Sequence, residues 1–280
     1  MSQPQPARSF GRVAAAYDRG RPGYPAQVGP WLTGGPGRTV LELGAGTGKL
    51  TALLVQHGHD VHATDPDPAM LEVLSAALPG VRTSVAGAED LPVAGRSVDV
   101  VVCAQSFHWF DLERALPEIA RVLKPGGHLA LVWNQTYQKI PWVRRLGAII
   151  GQDQVADPAE PLRDSGLFGP VEETELRHWQ DVNRSSVVDL AASHSGVSTL
   201  EPEAREAKLA EVAAFYDDYG RGMDGMQLPY VARCFRAPVI DDGRAEDPGP
   251  GTTSAADGAS QGGPSVSDGS DTDMLLIDFR

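Results

Sequence analysis

From Thr39 to Val132 the chain alternates short apolar runs with longer amphipathic stretches, and this rhythm limits the possible folds more than any other feature. The short runs are Thr39–Leu43, Asp60–Thr64, Val81–Ala86, Val98–Ala104 and His128–Val132. They are rich in β-branched residues and bounded by Gly, Pro or Asp, so they predict buried strands. The stretches between them, Leu50–Gln56, Ala69–Ala77 and Leu112–Leu123, carry apolar residues at helical spacing. Strict alternation over this length predicts βαβ units, hence a doubly wound α/β domain around a parallel sheet.

The flanks read differently. FGRVAAAY, from Phe10 to Tyr17, suits a short helix, and RPGYP, from Arg21 to Pro25, must then be an extended turn. Residues 1–37 therefore read as a strap ahead of the first strand, and 38–238 as the domain proper. Past Asn134 the rhythm loosens. Pro141–Ile150 and Glu203–Tyr219 look helical, while Val171–Trp179 and Tyr230–Arg236 look extended. Residues 135–230 are thus expected to supply cap elements and the last strands of the same sheet. From Asp241 to Asp273 almost no large apolar residue occurs, too few to offset the entropy of ordering the chain. Residues 239–280 are expected to form a disordered tail, closing on the apolar MLLIDFR.

Charge removes two classes of partner. With 24 Lys plus Arg against 37 Asp plus Glu, the net charge of -13 leaves no basic surplus for nucleic-acid phosphates or anionic lipid. No apolar run approaches the length of a membrane span. Met1 to Phe10 lacks the apolar centre of a signal sequence, and Cys103 lies in a buried-strand pattern, so a reducing, cytoplasmic setting is expected. His57, His59 and His62 straddle a turn and a strand start, so their rings should diverge and no metal site is expected.

The most informative stretch is TVLELGAGTGKL, from Thr39 to Leu50, where a strand runs through a glycine-rich turn into a helix. Such a turn lets backbone N–H groups face a ligand without obstruction by Cβ atoms. A phosphate-binding P-loop fails here, because Leu43 and Leu50 occupy its first glycine and its hydroxyl position. The dinucleotide fingerprint is broken by Lys49. What remains is E-x-G-x-G-x-G, from Glu42 to Gly48. Asp65 closes the next strand, where a carboxylate can accept ribose hydroxyls or cap the following helix.

These residues resemble the first motifs of class I S-adenosylmethionine-dependent methyltransferases, of the type 11 domain. Three further runs carry the likeness: AEDLP from Ala88 to Pro92, CAQSFHWF from Cys103 to Phe110, and ARVLKPGG from Ala120 to Gly127. With the F-x-x-x-A-x-x-Y and R-P-x-Y-P segments before them, the chain is similar to the trans-aconitate and ubiquinone-pathway small-molecule methyltransferases. The resemblance implies a Rossmann-like, seven-stranded, mostly parallel sheet with an antiparallel last strand, as LPYVARCFRA (Leu228 to Ala237) suggests. It implies S-adenosyl-L-methionine as cofactor and a small-molecule methyl acceptor as partner. It carries cofactor contacts onto Glu42, Gly44, Ala45, Gly46, Gly48, Asp65 and Pro66, and onto Ala88 and Glu89 at the adenine.

Seven side chains remain for the chemistry. Gln105 is placed to bond the methionyl end of the donor or the acceptor. Tyr17 and Arg21, with Tyr24 beside them, fold over the cofactor and bind its carboxylate, or else belong to an exposed strap. His108 either takes a proton from the acceptor or orients its loop and packs under Trp109. Phe107 and Trp109 either face the sulfonium or join the core. Two rival readings share the scaffold: an enzyme that uses the bound sulfonium without methyl transfer, and a silent binding protein docking through MLLIDFR.

Overall fold

The computed structural model describes residues 20–151, 157, 159–219 and 226–241. The expected helix at Phe10–Tyr17, the side chain of Tyr17, the run from Asp242 to Asp273 and MLLIDFR lie outside the described residues.

A short helix, α1 (Val28–Thr33), precedes β1 (Thr39–Leu43), α2 (Lys49–Gln56), β2 (Asp60–Asp65), α3 (Pro68–Ala77), β3 (Arg82–Val85) and β4 (Val98–Ala104). A one-turn 3-10 helix (Phe107–Trp109), α4 (Leu112–Val122) and the long β5 (Leu123–Thr136) follow. The chain then adds α5 (Pro141–Ile150), α6 (Ala159–Asp164), β6 (Glu172–Val182), α7 (Arg184–Ala192), α8 (Ser195–Ser198), α9 (Pro202–Tyr219) and β7 (Met226–Pro238). The seven strands form one sheet in the order β3-β2-β1-β4-β5-β7-β6. Strands β1 to β5 pair in parallel, and β7 runs antiparallel to both β5 and β6. The expected doubly wound sheet and its antiparallel last strand are both present.

Burial explains the strand composition. In β1 and β4 nearly every residue is buried because helices cover both sheet faces, so the pattern is a continuous apolar run without polar alternation. On one face, α4 buries Ala115, Leu116, Ile119 and Val122 against the sheet. Full burial of each larger aliphatic side chain contributes about 1.5–3 kcal/mol. On the other face, α1 and α2 bury Val28, Leu32, Leu50 and Leu54 against Val40, Val100 and Val132. At β3 the pattern is weaker, as the strand lies at the sheet edge.

Three boundaries differ from expectation. The strand read at His128–Val132 begins at Leu123, which pairs with Val98 before a register shift brings His128 opposite Val100. Helices α1, α6, α7 and α8 are not among the stretches expected to be helical. The chain stays paired past 238: Val239 N–H donates to Gly127 (2.9 Å), Ile240 N–H to Leu167 (2.9 Å), and Asp241 accepts from Arg96 (3.1 Å). Within residues 135–230, α5, α7 and α9 share a core of Val143, Leu146, Leu190 and Phe215, while β6 belongs to the sheet. Among the described residues no helix is long and apolar enough to cross a membrane.

Candidate functional site

Strands β1 and β4 are neighbours, and the connections leaving their carboxyl ends diverge. A crevice opens at such a switch point in parallel sheets. The glycine turn after β1 sits in it. Gly44 has φ +67, and a Cβ there would lie 2.5 Å from Ser106 Cβ. Ser106 in turn donates its hydroxyl to the Leu43 carbonyl at 2.7 Å, tying the ends of β1 and β4 together. At Gly46 (φ +57) the corresponding Cβ would meet nothing within 4 Å, so this backbone faces open space.

Asp65 braces the turn from behind. Its carboxylate accepts from Gly46 N–H (2.9 Å) and from Asp67 N–H (2.9 Å). Burial pushes its pKa up, and those two bonds oppose the shift. The helix-capping role considered for Asp65 belongs instead to Asp67, which accepts from Ala69 N–H at the start of α3 (3.0 Å). Pro66 links the two aspartates, with Pro68 filling the first turn of α3.

The cleft in front of the turn is walled by Arg21, Tyr24, Glu42, Gly44 to Thr47, Lys49, Leu50 and Gln105, with Pro22 and Ala104 between them. Glu42 is fully buried. Thr51 donates to its Oε2 at 2.7 Å, while its Oε1 has no partner among the described residues. Desolvation raises its pKa to about 8, partly offset by the Thr51 bond, so the carboxyl is mostly protonated at pH 7. An orphaned polar atom on a cleft wall is costly unless something in the cleft bonds to it.

Arg21 reaches across the cleft mouth to Ser193, just past α7. Its Nε donates to the hydroxyl (3.0 Å) and its Nη2 to the carbonyl (3.1 Å). Gln105 takes a left-handed conformation (φ 59) and donates its side-chain amide to the Asn134 carbonyl at 3.1 Å. Strain at a non-glycine residue is a frequent mark of a functional turn.

Six expected residues stand outside these walls. At Gly48 a Cβ would lie 2.8 Å from Leu74 Cγ, and Pro66 follows β2. Asp65 bonds to the glycine turn through Gly46 N–H. Ala88 is buried in the core, and Glu89 Oε1 accepts from Asp111 N–H at 2.9 Å. His108 is exposed, and among the described residues it forms no hydrogen bond; its ring lies 4.7 Å from Trp109, and partial desolvation lowers its pKa. Of the two flanking aromatics, Phe107 is a core residue, edge-on to Phe110 and Trp133, whereas Trp109 is 38% exposed. His57, His59 and His62 bond separately to Leu53, Arg38 and Ser84, and the described residues hold no metal-binding cluster.

Sequence reasoning missed Ser193 and Asn134, which bond to the wall residues Arg21 and Gln105, and His178 and Tyr230, which follow from Asn134. The available signal was a buried asparagine ending an apolar strand, since such a side chain needs partners. Asn134 has two: Nδ2 donates to the Gly23 carbonyl (3.0 Å), and Oδ1 meets His178 Nε2 (3.0 Å).

With this geometry in place, the family described as "Methyltransferase domain" matches residues 41–131. An uncharacterized methyltransferase of Mycobacterium tuberculosis is 44% identical over 235 residues, which are 82% of this chain and 95% of that protein. One of Schizosaccharomyces pombe is 36% identical over 233 residues, 80% and 93% of the two chains. Among solved structures, a protein of Anaeromyxobacter dehalogenans, described as a proposed type II methyltransferase, superposes with a TM-score of 0.55 at 26% identity. That match covers 78% of this chain and 97% of the other.

Proposed function

Because the chain belongs to the class I S-adenosylmethionine-dependent methyltransferases, we propose that it moves the methyl group of that donor to a small-molecule acceptor. The observation that carries the reading is the cleft itself: an open glycine backbone at Gly46 facing the buried, partly unsatisfied carboxyl of Glu42. These walls fit the cofactor. Bare backbone lets a nucleoside lie close, and the protonated Glu42 carboxyl, without a partner at Oε1 among the described residues, can bond to a polar group of the bound donor. The bound cofactor supplies an electrophilic methyl group on a sulfonium sulfur. The protein's part is to align donor and acceptor and to exclude water.

Within this reading Glu42, Gly44, Ala45, Gly46, Gly48 and Gln105 face the donor. Arg21, with Tyr17 ahead of it in sequence, lies over its amino-acid end. Asp65 and Pro66 take the ribose side, and Ala88 with Glu89 the adenine side. His108, the imidazole expected from sequence to take the acceptor's proton, lies in the 3-10 helix that follows β4. Asp65 has a second task, because it also holds Gly46 and Asp67. Asp65→Ala is expected to weaken donor affinity by about 1.5–3 kcal/mol, the range for a hydrogen bond to a charged group. Calorimetry with S-adenosylhomocysteine measures this, and unchanged affinity would place the ribose elsewhere.

The transfer itself is tested with methyl-labelled S-adenosylmethionine and the small-molecule fraction of a cell extract. Label in a new extractable product, with matching S-adenosylhomocysteine, is the expected result. S-adenosylhomocysteine without labelled product, or neither, would refute it. We also propose that residues after 241 are dispensable to this activity. Truncation after Asp241 should leave melting temperature and donor affinity unchanged, whereas a cut after Pro238 removes the bonds of Val239 and Ile240. A marked drop in melting temperature on the first truncation would mean the tail packs on the domain.

A further inference from the structure

Beyond the cofactor cleft the sheet brings together a row of side chains on three strands. Thr136 of β5 lies opposite Tyr230 of β7, which lies opposite His178 of β6. Residues directly opposite one another across paired strands project from the same sheet face. Asn134, two residues back along β5, projects from that face too. The His178 ring stacks on Tyr230, with centroids 5.4 Å apart and planes 22° from parallel.

The hydrogen bonds around His178 define its tautomer. Asn134 Nδ2 donates to the Gly23 carbonyl, which can only accept. Asn134 must therefore present its oxygen to His178, and His178 Nε2 must carry the hydrogen of their 3.0 Å bond. The lone pair is left on Nδ1, which has no partner among the described residues. Partial burial holds the ring below the ordinary imidazole pKa, so it is neutral at pH 7.

The same asparagine joins this ring to the cofactor cleft. Gly23 sits between Pro22 and Tyr24, both in the cleft wall, and the Asn134 carbonyl accepts from Gln105, another wall residue. The ring is thus oriented by a neighbour, neutral, and one residue removed from the donor site on two sides. An oriented, neutral imidazole with a lone pair to spare is what a general base requires of its own side chain. His108 lacks the orienting bond.

We propose that His178, positioned by Asn134, takes the proton of the methyl acceptor, and that the acceptor is therefore a hydroxyl or protonated-amine compound. In the step, the acceptor's proton passes to Nδ1, ahead of attack for an ammonium, whose nitrogen gains its lone pair only then, and as attack proceeds for a hydroxyl. The lone pair on oxygen or nitrogen forms the bond to the methyl carbon, and the carbon–sulfur bond breaks with its electron pair left on sulfur. The resulting imidazolium returns the proton to water. The inference rests on the transferase reading and assigns its acceptor class.

The test compares full-length wild type, His178→Ala, His178→Gln and His108→Ala, using methyl-labelled S-adenosylmethionine and the small-molecule extract fraction as probe. Both His178 variants are expected to lose at least about 100-fold in transfer rate while keeping affinity for S-adenosylhomocysteine. Gln can still bond to Asn134 but has no basic nitrogen, so a purely structural role would be rescued by it. Free imidazole should partly restore His178→Ala. The labelled product should resist mild alkali, as methyl ethers and methylamines do, whereas a methyl ester releases methanol. Nitrogen-15 NMR of labelled histidine should show His178 protonated at Nε2. An Nδ1-protonated ring, an alkali-labile product, rescue by Gln, or a larger loss at His108 would each overturn this proposal and leave the transferase reading standing. No labelled product from wild type would sink both.

Discussion

Raising the pH from about 5 to about 8 is expected to weaken the cofactor-free protein through Glu42, and Glu42→Gln should remove that part of the loss. In the fold its carboxyl holds a proton up to about pH 8, against an ordinary value of 4.5. Between those values the folded state binds a proton that the unfolded state has released. Stability is therefore fully present below the unfolded pKa and drains away as pH rises through the folded one. One proton costs ~1.4 kcal/mol per pH unit, so the loss is about 3–5 kcal/mol over the interval. Asp65, also raised by burial, adds in the same direction at lower pH. His194, whose pKa falls to about 3 on burial, acts oppositely, since its folded form refuses a proton the unfolded chain would take. The wild-type curve sums these effects, so the difference between wild type and Glu42→Gln isolates Glu42. Chemical denaturation at several pH values measures it. Parallel curves for the two proteins would show that Glu42 ionises normally in the fold. Gln keeps the bond from Thr51, which makes the substitution a change of proton and not of packing.

Gly44→Ala should destabilise the domain by about 2–5 kcal/mol, from two separable causes. A left-handed backbone costs a residue with a Cβ roughly 1–2 kcal/mol, and Gly44 has φ +67. The new methyl would also lie 2.5 Å from Ser106 Cβ and 2.9 Å from its hydroxyl, and overpacking of that kind costs about 1–3 kcal/mol. Relief by moving Ser106 is blocked, because its hydroxyl bonds to the Leu43 carbonyl and its backbone leads into the Phe107 turn packed on Trp133. Combining Gly44→Ala with Ser106→Gly should recover the steric part and leave the backbone part. Denaturation midpoints that fail to improve in the double variant would place the damage elsewhere. The two residues lie far apart in sequence, so this coupling exists only because β1 and β4 are neighbours in the sheet.

The parallel core and its glycine turn follow from local pattern. Strands of β-branched residues between glycine and helical stretches can bury both faces only in a covered sheet, and a turn with three glycines after β1 has few other uses. Asp65 was legible for the same reason, at the end of the next strand. What the chain could not reveal locally was the far wall of the crevice. Arg21 meets Ser193, Gly23 meets Asn134, and Asn134 meets His178, all across long loops of sequence. No spacing rule links such residues, because their proximity depends on β7 inserting antiparallel between β5 and β6. His108 drew attention as the imidazole beside a recognised motif. His178 lay in the strand EETELRHWQDV, whose alternation gives it a face but not a neighbour. A side chain's chemistry is written in the residue, while its tautomer, protonation and reach are properties of the groups around it. Those groups were assembled by the sheet.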